Sequence, residues 1–164
     1  VIFVVDASAL ITLARIGSLE LLHQLADRIV IPDAVYRESV TQAQGRPGSV
    51  EIAQAHWIVR QPVTNRAHVM RLLNRVGQGE AEAIALALQI RADAVVLDDA
   101  TARRLAEGEG CRVVGLLGLL AEGKRRGLLT AVKPLLDAMR EAGFFVGDEL
   151  YTAILRQAGE GPLG

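Results

Sequence analysis

A single cysteine, Cys111, occurs in 164 residues. An internal disulfide is excluded, and a reducing compartment is the default expectation. Lysine is almost missing: of 18 basic residues only Lys124 and Lys133 are Lys, and the 19 acids leave a net charge of -1. Without an excess of positive charge the chain is a poor candidate for wrapping long duplexes, though a small catalytic site is still allowed. No apolar run approaches about 18 residues, so no membrane-spanning helix is expected. The apolar opening is too short for a secretory leader and has no basic residues ahead of it, which gives a cytoplasmic location as the expectation. The three histidines, His23, His56 and His68, lack zinc-ligand spacing. Gly77-Gln78-Gly79 lacks the spacing and the Lys of a phosphate loop. Ser8 has no evident histidine partner for nucleophilic work.

Apolar residues make up 51% of the chain. Its length suits one domain, and a domain of this size buries roughly 68–70% of its unfolded surface. Val1-Ile2-Phe3-Val4-Val5 is unbroken and rich in β-branched types, as expected for a strand buried on both faces. Arg28–Ile31, Trp57–Val59, Ala94–Leu97 and Arg112–Val114 read as further strands. Helices are expected around 10–14 with Ser8 as a possible N-cap, then at 19–25, 33–38, 49–55, 64–76, 80–89 and 100–107. Pro32 fits a first helical position, and Thr41–Gly48 is a loop. The last third is helical, about 116–126, 131–142 and 148–157, and the tail from Gly159 to Gly164 should fray. Strands alternating with helices give an α/β sandwich with a mainly parallel sheet.

Five acids stand where such a fold does chemistry. Asp6 follows the first strand, and Asp98 and Asp99 follow the strand at 94–97. Glu80 opens a helix, and Glu38 lies on the helix after the second strand. Each has a bland role available: Asp6 and Asp99 as helix caps, Glu80 as a first-turn acid favoured by the helix dipole, Glu38 as a solvated residue. Glu82, two residues beyond Glu80, points to another side of its helix and reads as structural. Taken together, acids at the carboxyl ends of neighbouring strands would crowd and raise one another's pKa, an arrangement a cation relieves. Hard oxygen donors suit Mg²⁺ or Mn²⁺ and phosphodiester hydrolysis.

Four stretches in this order resemble the PIN-domain ribonucleases. They are Val4-Val5-Asp6-Ala7-Ser8, then Ile31-Pro32-Asp33-Ala34-Val35-Tyr36-Arg37-Glu38. Gly79-Glu80-Ala81-Glu82-Ala83-Ile84-Ala85-Leu86-Ala87 follows, and Val95-Val96-Leu97-Asp98-Asp99 with Ala102-Arg103 completes the set. The resemblance covers about residues 1–120. Gly115-Leu116-Leu117-Gly118-Leu119-Leu120 and Lys124-Arg125-Arg126-Gly127 are similar to the VapC-like branch of that family.

The resemblance implies a three-layer sandwich with a mainly parallel central sheet and a helical C-terminal tail. The domain would be a single unit over 1–158, with a nuclease core over 1–120 and a helical extension over 121–158. It further implies a metal-dependent endoribonuclease whose acids are Asp6, Glu38, Glu80 and one or both of Asp98 and Asp99. Asp6, Glu80 and Asp98 or Asp99 would hold Mg²⁺ or Mn²⁺. The family's Thr-x-Asp pattern is here Leu97-Asp98-Asp99, which leaves open which aspartate faces the metal. Ser8 and Arg103 are the candidate substrate contacts, Ser8 beside Asp6 and Arg103 toward an RNA phosphate. A small antitoxin partner and a homodimer are further expectations of the resemblance. Two rival readings are a non-catalytic PIN-like binding module and a Mg²⁺-dependent phosphatase. The phosphatase would ordinarily show Asp-x-Asp where this chain has Asp6-Ala7-Ser8.

Overall fold

A computed structural model describes residues 1–161. Five strands form one sheet: β1 (Ile2–Val5), β2 (Arg28–Ile31), β3 (Ile58–Arg60), β4 (Ala94–Val96) and β5 (Val113–Val114). Their spatial order is β3-β2-β1-β4-β5, and every pairing is parallel. The expected α/β sandwich with a parallel sheet is therefore the observed architecture. In β1, Val4 pairs with Val30 on one side and Val95 on the other.

Strand alternation sends successive side chains to opposite faces. Val5, Ile29, Ile31 and Val96 pack into one core, while Val4, Val30, Val95 and Leu97 pack into a second. Both faces are thus covered, as a parallel sheet requires. The first core takes in α1 (Ala7–Arg15), α2 (Glu20–Leu25), α4 (Ser49–Gln54), α8 (Leu116–Arg125), α9 (Lys133–Glu141) and α10 (Asp148–Gln157) through residues such as Leu10, Leu22, Ile52, Leu120, Leu136 and Ile154. The second core takes in α5 (Arg66–Leu72), α6 (Gln78–Gln89) and α7 (Ala100–Gly108) through Val69, Ile84 and Ala102. Between the layers, α3 (Asp33–Tyr36) leaves β2 and runs on into a π-helical stretch, Arg37–Thr41.

Several element ends differ from the sequence reading. Ser8 lies inside α1, and Asp6 occupies the N-cap position without capping through its side chain. Pro32 is the N-cap residue of α3, one position ahead of where it was expected. The helix after β2 continues to Thr41 because its last turn widens, with the Gln42 N–H donating to Arg37 O. α6 starts at Gln78, two residues early, and takes Gly79 into its first turn.

The C-terminal extension docks on the first core through Leu136 and Met139, both fully buried. Its end, read from the sequence as frayed, carries an anchor at Glu160. Its carboxylate accepts from Lys124 Nζ at 3.2 Å, Val132 N at 2.8 Å and Lys133 N at 3.1 Å. The remainder of that expected tail, 162–164, lies outside the described residues. Among the described residues no helix is long and apolar enough to cross a membrane.

Candidate active site

The sheet order sets the place. From β1 the chain builds outward to β2 and β3, then returns to the other flank for β4 and β5. The reversal opens a crevice beyond the carboxyl ends of β1 and β4, where open α/β sheets bind ligands. Asp6 leaves β1 there, its N–H donating to Val96 O at 3.1 Å and so stitching it to the end of β4.

A hollow of about 290 Å³ occupies this crevice, lined by Asp6, Ala7, Ser8, Glu38, Gly77, Gly79, Glu80 and Asp99. Four carboxylates from four separate stretches of chain therefore meet. Asp6 is only 6% exposed. Its Oδ2 accepts from Ser8 Oγ at 3.4 Å, and its Oδ1 has no hydrogen-bond partner among the described residues. Burial, above all, drives its pKa up to about 7; the Ala7 amide and the Ser8 hydroxyl oppose the rise, and the charges of Glu80 and Glu38 add to it.

Glu38 projects from the π-helical stretch, a distortion common at functional sites. Its Oε1 accepts the Gly79 N–H at 3.1 Å. Approach is so close that a Cβ on Gly79 would overlap Glu38 Oε2 and sit 2.9 Å from Glu38 Cδ. Any larger residue would have to push the Glu38 carboxylate aside, which is why glycine, a poor helix former, stands second in α6. Glu80 folds back so that Oε1 accepts the Gly77 N–H at 3.2 Å. Half-burial raises the pKa values of Glu38 and Glu80, and Glu80 is raised further by Asp99 and Glu38. Asp99 caps α7, its Oδ2 accepting the Ala102 N–H at 2.9 Å.

Asp98 and Arg103 do not line the hollow. Asp98 Oδ1 accepts the Leu116 N–H at 3.1 Å and so caps α8, whose own N-cap, Gly115, has no side chain to do so. Burial raises its pKa, while the Leu116 amide and Arg103 oppose the rise. Arg103 Nη1 donates to Leu97 O at 2.8 Å, and the guanidinium fills the space a Cβ at Gly115 would need. Of the two aspartates the sequence left open, Asp99 is the one at the hollow, and Arg103 is engaged by the end of β4.

The sequence reading set Gly77-Gln78-Gly79 aside as lacking the features of a phosphate loop and gave it no other role; Gly77 and Gly79 both line the hollow. The signal was there in two glycines flanking one residue directly ahead of an acid, a pattern that marks close backbone approach.

A family model described as DUF3368, a PIN domain, matches residues 2–160. The chain belongs to the PIN-domain family. Among solved structures, this PIN domain is similar to a PilT N-terminus domain protein from the hyperthermophilic archaeon Sulfolobus solfataricus. That match has 19% identity and a TM-score of 0.56, over 74% of this chain and 92% of the other. At that identity the likeness is one of fold. No curated protein matches the chain. PIN domains are generally metal-dependent nucleases.

The donor set of this PIN domain fits a hard divalent cation. All four side chains offer oxygen, one oxygen of a buried carboxylate is orphaned, and three of the four acids are held with raised pKa. Among the described residues no three acidic, histidine or cysteine side chains stand in a closed chelating arrangement. Mg²⁺ needs none, since it is held by one or two carboxylates and keeps several waters.

Proposed function

We propose that the chain is a Mg²⁺- or Mn²⁺-dependent endoribonuclease, with its chemistry at the four-carboxylate hollow. The observation that carries this is the meeting of Asp6, Glu38, Glu80 and Asp99 in one crevice, with Asp6 Oδ1 buried and unpartnered. One or two of Asp6, Glu80 and Asp99 would hold the cation directly and the rest through its waters, with Glu38 shaping the pocket beside them. A divalent ion bound there acidifies water and offsets the negative charge of a scissile phosphodiester. The protein's own part is to aim and to exclude. The bond from Ser8 Oγ orients the Asp6 carboxylate. Capping of α7 takes one oxygen of Asp99 and leaves Oδ1 for a ligand. The Gly77 amide steadies Glu80, which would otherwise swing with its long side chain.

Within this reading the protein is the toxin of a toxin–antitoxin pair, VapC-like, working as a homodimer in the cytoplasm and restrained by a small antitoxin. Phe145, 89% exposed, and Leu150, 48% exposed, lie on the C-terminal extension and offer apolar surface for such a partner or second copy. The test is cleavage of single-stranded RNA with Mg²⁺, with Mn²⁺ and with excess chelator. Cleavage that needs the cation and disappears in Asp6→Asn is the expected result. An Asp6→Asn protein that cuts as fast as wild type sinks the assignment.

A further inference from the structure

The helices that carry Glu38 and Glu80 share a defect. α3 begins after Pro32 and α6 after Gly77, and neither N-cap residue has a side chain able to cap. The second N–H of a helix has no intrahelical acceptor. In α3 that N–H belongs to Ala34, and in α6 to Gly79. Each is taken by a carboxylate from the other segment. Glu82 Oε1, on α6, accepts from Ala34 N at 3.1 Å, and Glu38 Oε1, just beyond α3, accepts from Gly79 N at 3.1 Å. The two bonds are rungs between the same pair of segments, pairing 34 with 82 and 38 with 79.

Glu82 is 1% exposed and does not line the acidic hollow. Its second oxygen, Oε2, accepts from Arg66 Nη2 at 3.2 Å and Gln78 Nε2 at 3.3 Å. Gln78 is the first residue of α6, and Arg66 the first of α5. One buried carboxylate thus ties the starts of three helices. A carboxylate this buried is retained only when its oxygens are matched by donors, as here.

We propose that Glu82 is a positioning residue, which fixes α3 against α6 so that Glu38 stays seated on Gly79 and the hollow keeps its grip on a divalent cation. The cation half of this rests on the metal-dependent reading above; the geometric half does not. Groups that orient metal-binding side chains commonly change metal affinity about ten- to hundredfold when removed.

The experiment compares wild type, Glu82→Ala and Glu82→Gln in two measurements. The first is amide hydrogen exchange at Gly79, referred to Val4 and Val5 in β1 as reporters of global opening. The second is Mn²⁺ affinity by titration calorimetry. In Glu82→Ala, Gly79 protection should fall at least tenfold more than that of Val4 and Val5, and Mn²⁺ affinity should fall about ten- to hundredfold. Glu82→Gln keeps an oxygen for Ala34 but turns an NH2 toward Arg66 and Gln78, both donors. Gln78 can offer its own oxygen instead and the half-exposed Arg66 can turn to solvent, so both readouts should recover in part. A carboxylate that matters only for stability would lower protection equally at all three amides. That equal loss, or unchanged Gly79 protection in a folded variant, overturns the proposal. Should Glu82→Ala not fold, Glu82→Asp, which keeps the charge but withdraws it from Ala34 by one methylene, takes its place: selective loss at Gly79 upholds the proposal, and unchanged Gly79 protection overturns it. A wild type that binds no Mn²⁺ overturns the metal reading and the affinity half with it, and Gly79 exchange still judges the geometry.

Discussion

Neutralising Asp6 should change how the stability of the metal-free protein follows pH. The side chain is 6% exposed, so solvent screens little of the effect. Its pKa stands at about 7 against an ordinary 3.8. At ~1.36 kcal/mol per pH unit, that gap corresponds to about 4 kcal/mol. The sign follows from which form the fold prefers. Burial favours the neutral acid, so the folded chain holds a proton that the unfolded chain has released. The contribution is therefore complete below about pH 3.8 and is lost as pH climbs through about 7. Other groups titrate too: Glu122 is pulled down to about 2 by Arg125 and Arg126, and Asp137 is lowered by Tyr151 and Lys133. These lie away from the hollow and cancel in the difference between wild type and Asp6→Asn; Glu38 and Glu80, raised and facing Asp6, cancel except for what the Asp6 charge adds to them. The assay is urea unfolding of both proteins in chelator from about pH 4 to about pH 8. Wild type should lose about 4 kcal/mol more than Asp6→Asn over that range. Saturating Mn²⁺ should shrink the loss, because a cation favours the charged carboxylate. A difference that stays flat with pH would refute the claim that burial holds Asp6 protonated in the folded chain.

Three further outcomes separate site from scaffold. Gly79→Ala places a Cβ 2.9 Å from Glu38 Cδ. Mn²⁺ binding by calorimetry should weaken about tenfold or more as Glu38 is displaced. Asp98→Ala removes the acceptor for Leu116 N–H and should cost about 1–2 kcal/mol in urea unfolding while Mn²⁺ affinity holds; Asp99→Ala should lose both stability and affinity. Leu136→Ala empties a fully buried site on α9. It should cost about 2–5 kcal/mol in the same cooperative transition as the rest of the chain, whereas a separate early transition would mean that the extension folds apart.

The strands and long helices were legible because they obey local rules. Ile2–Val5 and Ala94–Leu97 are apolar without a break because both faces of a parallel strand are covered. What local rules missed was decided by partners far along the chain. α6 takes Gly79 into its first turn against its propensity, because Glu38, 41 residues earlier, needs the space. Asp98 and Asp99 are chemically identical neighbours; the sequence offers Asp99 as the cap of the helix that follows, but does not say which of the two faces the crevice. They are separated by which amide each meets, Leu116 for Asp98 and Ala102 for Asp99. The same rule sorts the remaining acids: Glu38 finds Gly79, Glu80 finds Gly77, and Glu82 finds Ala34. A sequence shows how many carboxylates a fold must accommodate but not how many backbone donors will reach them. When those donors are assigned, two buried carboxylate oxygens among the described residues are left without one, Asp98 Oδ2 away from the hollow and Asp6 Oδ1 in it, at the mouth of the parallel sheet. Because a buried anionic oxygen needs either a proton or a cation, the competition between the two is the property of this site most open to measurement.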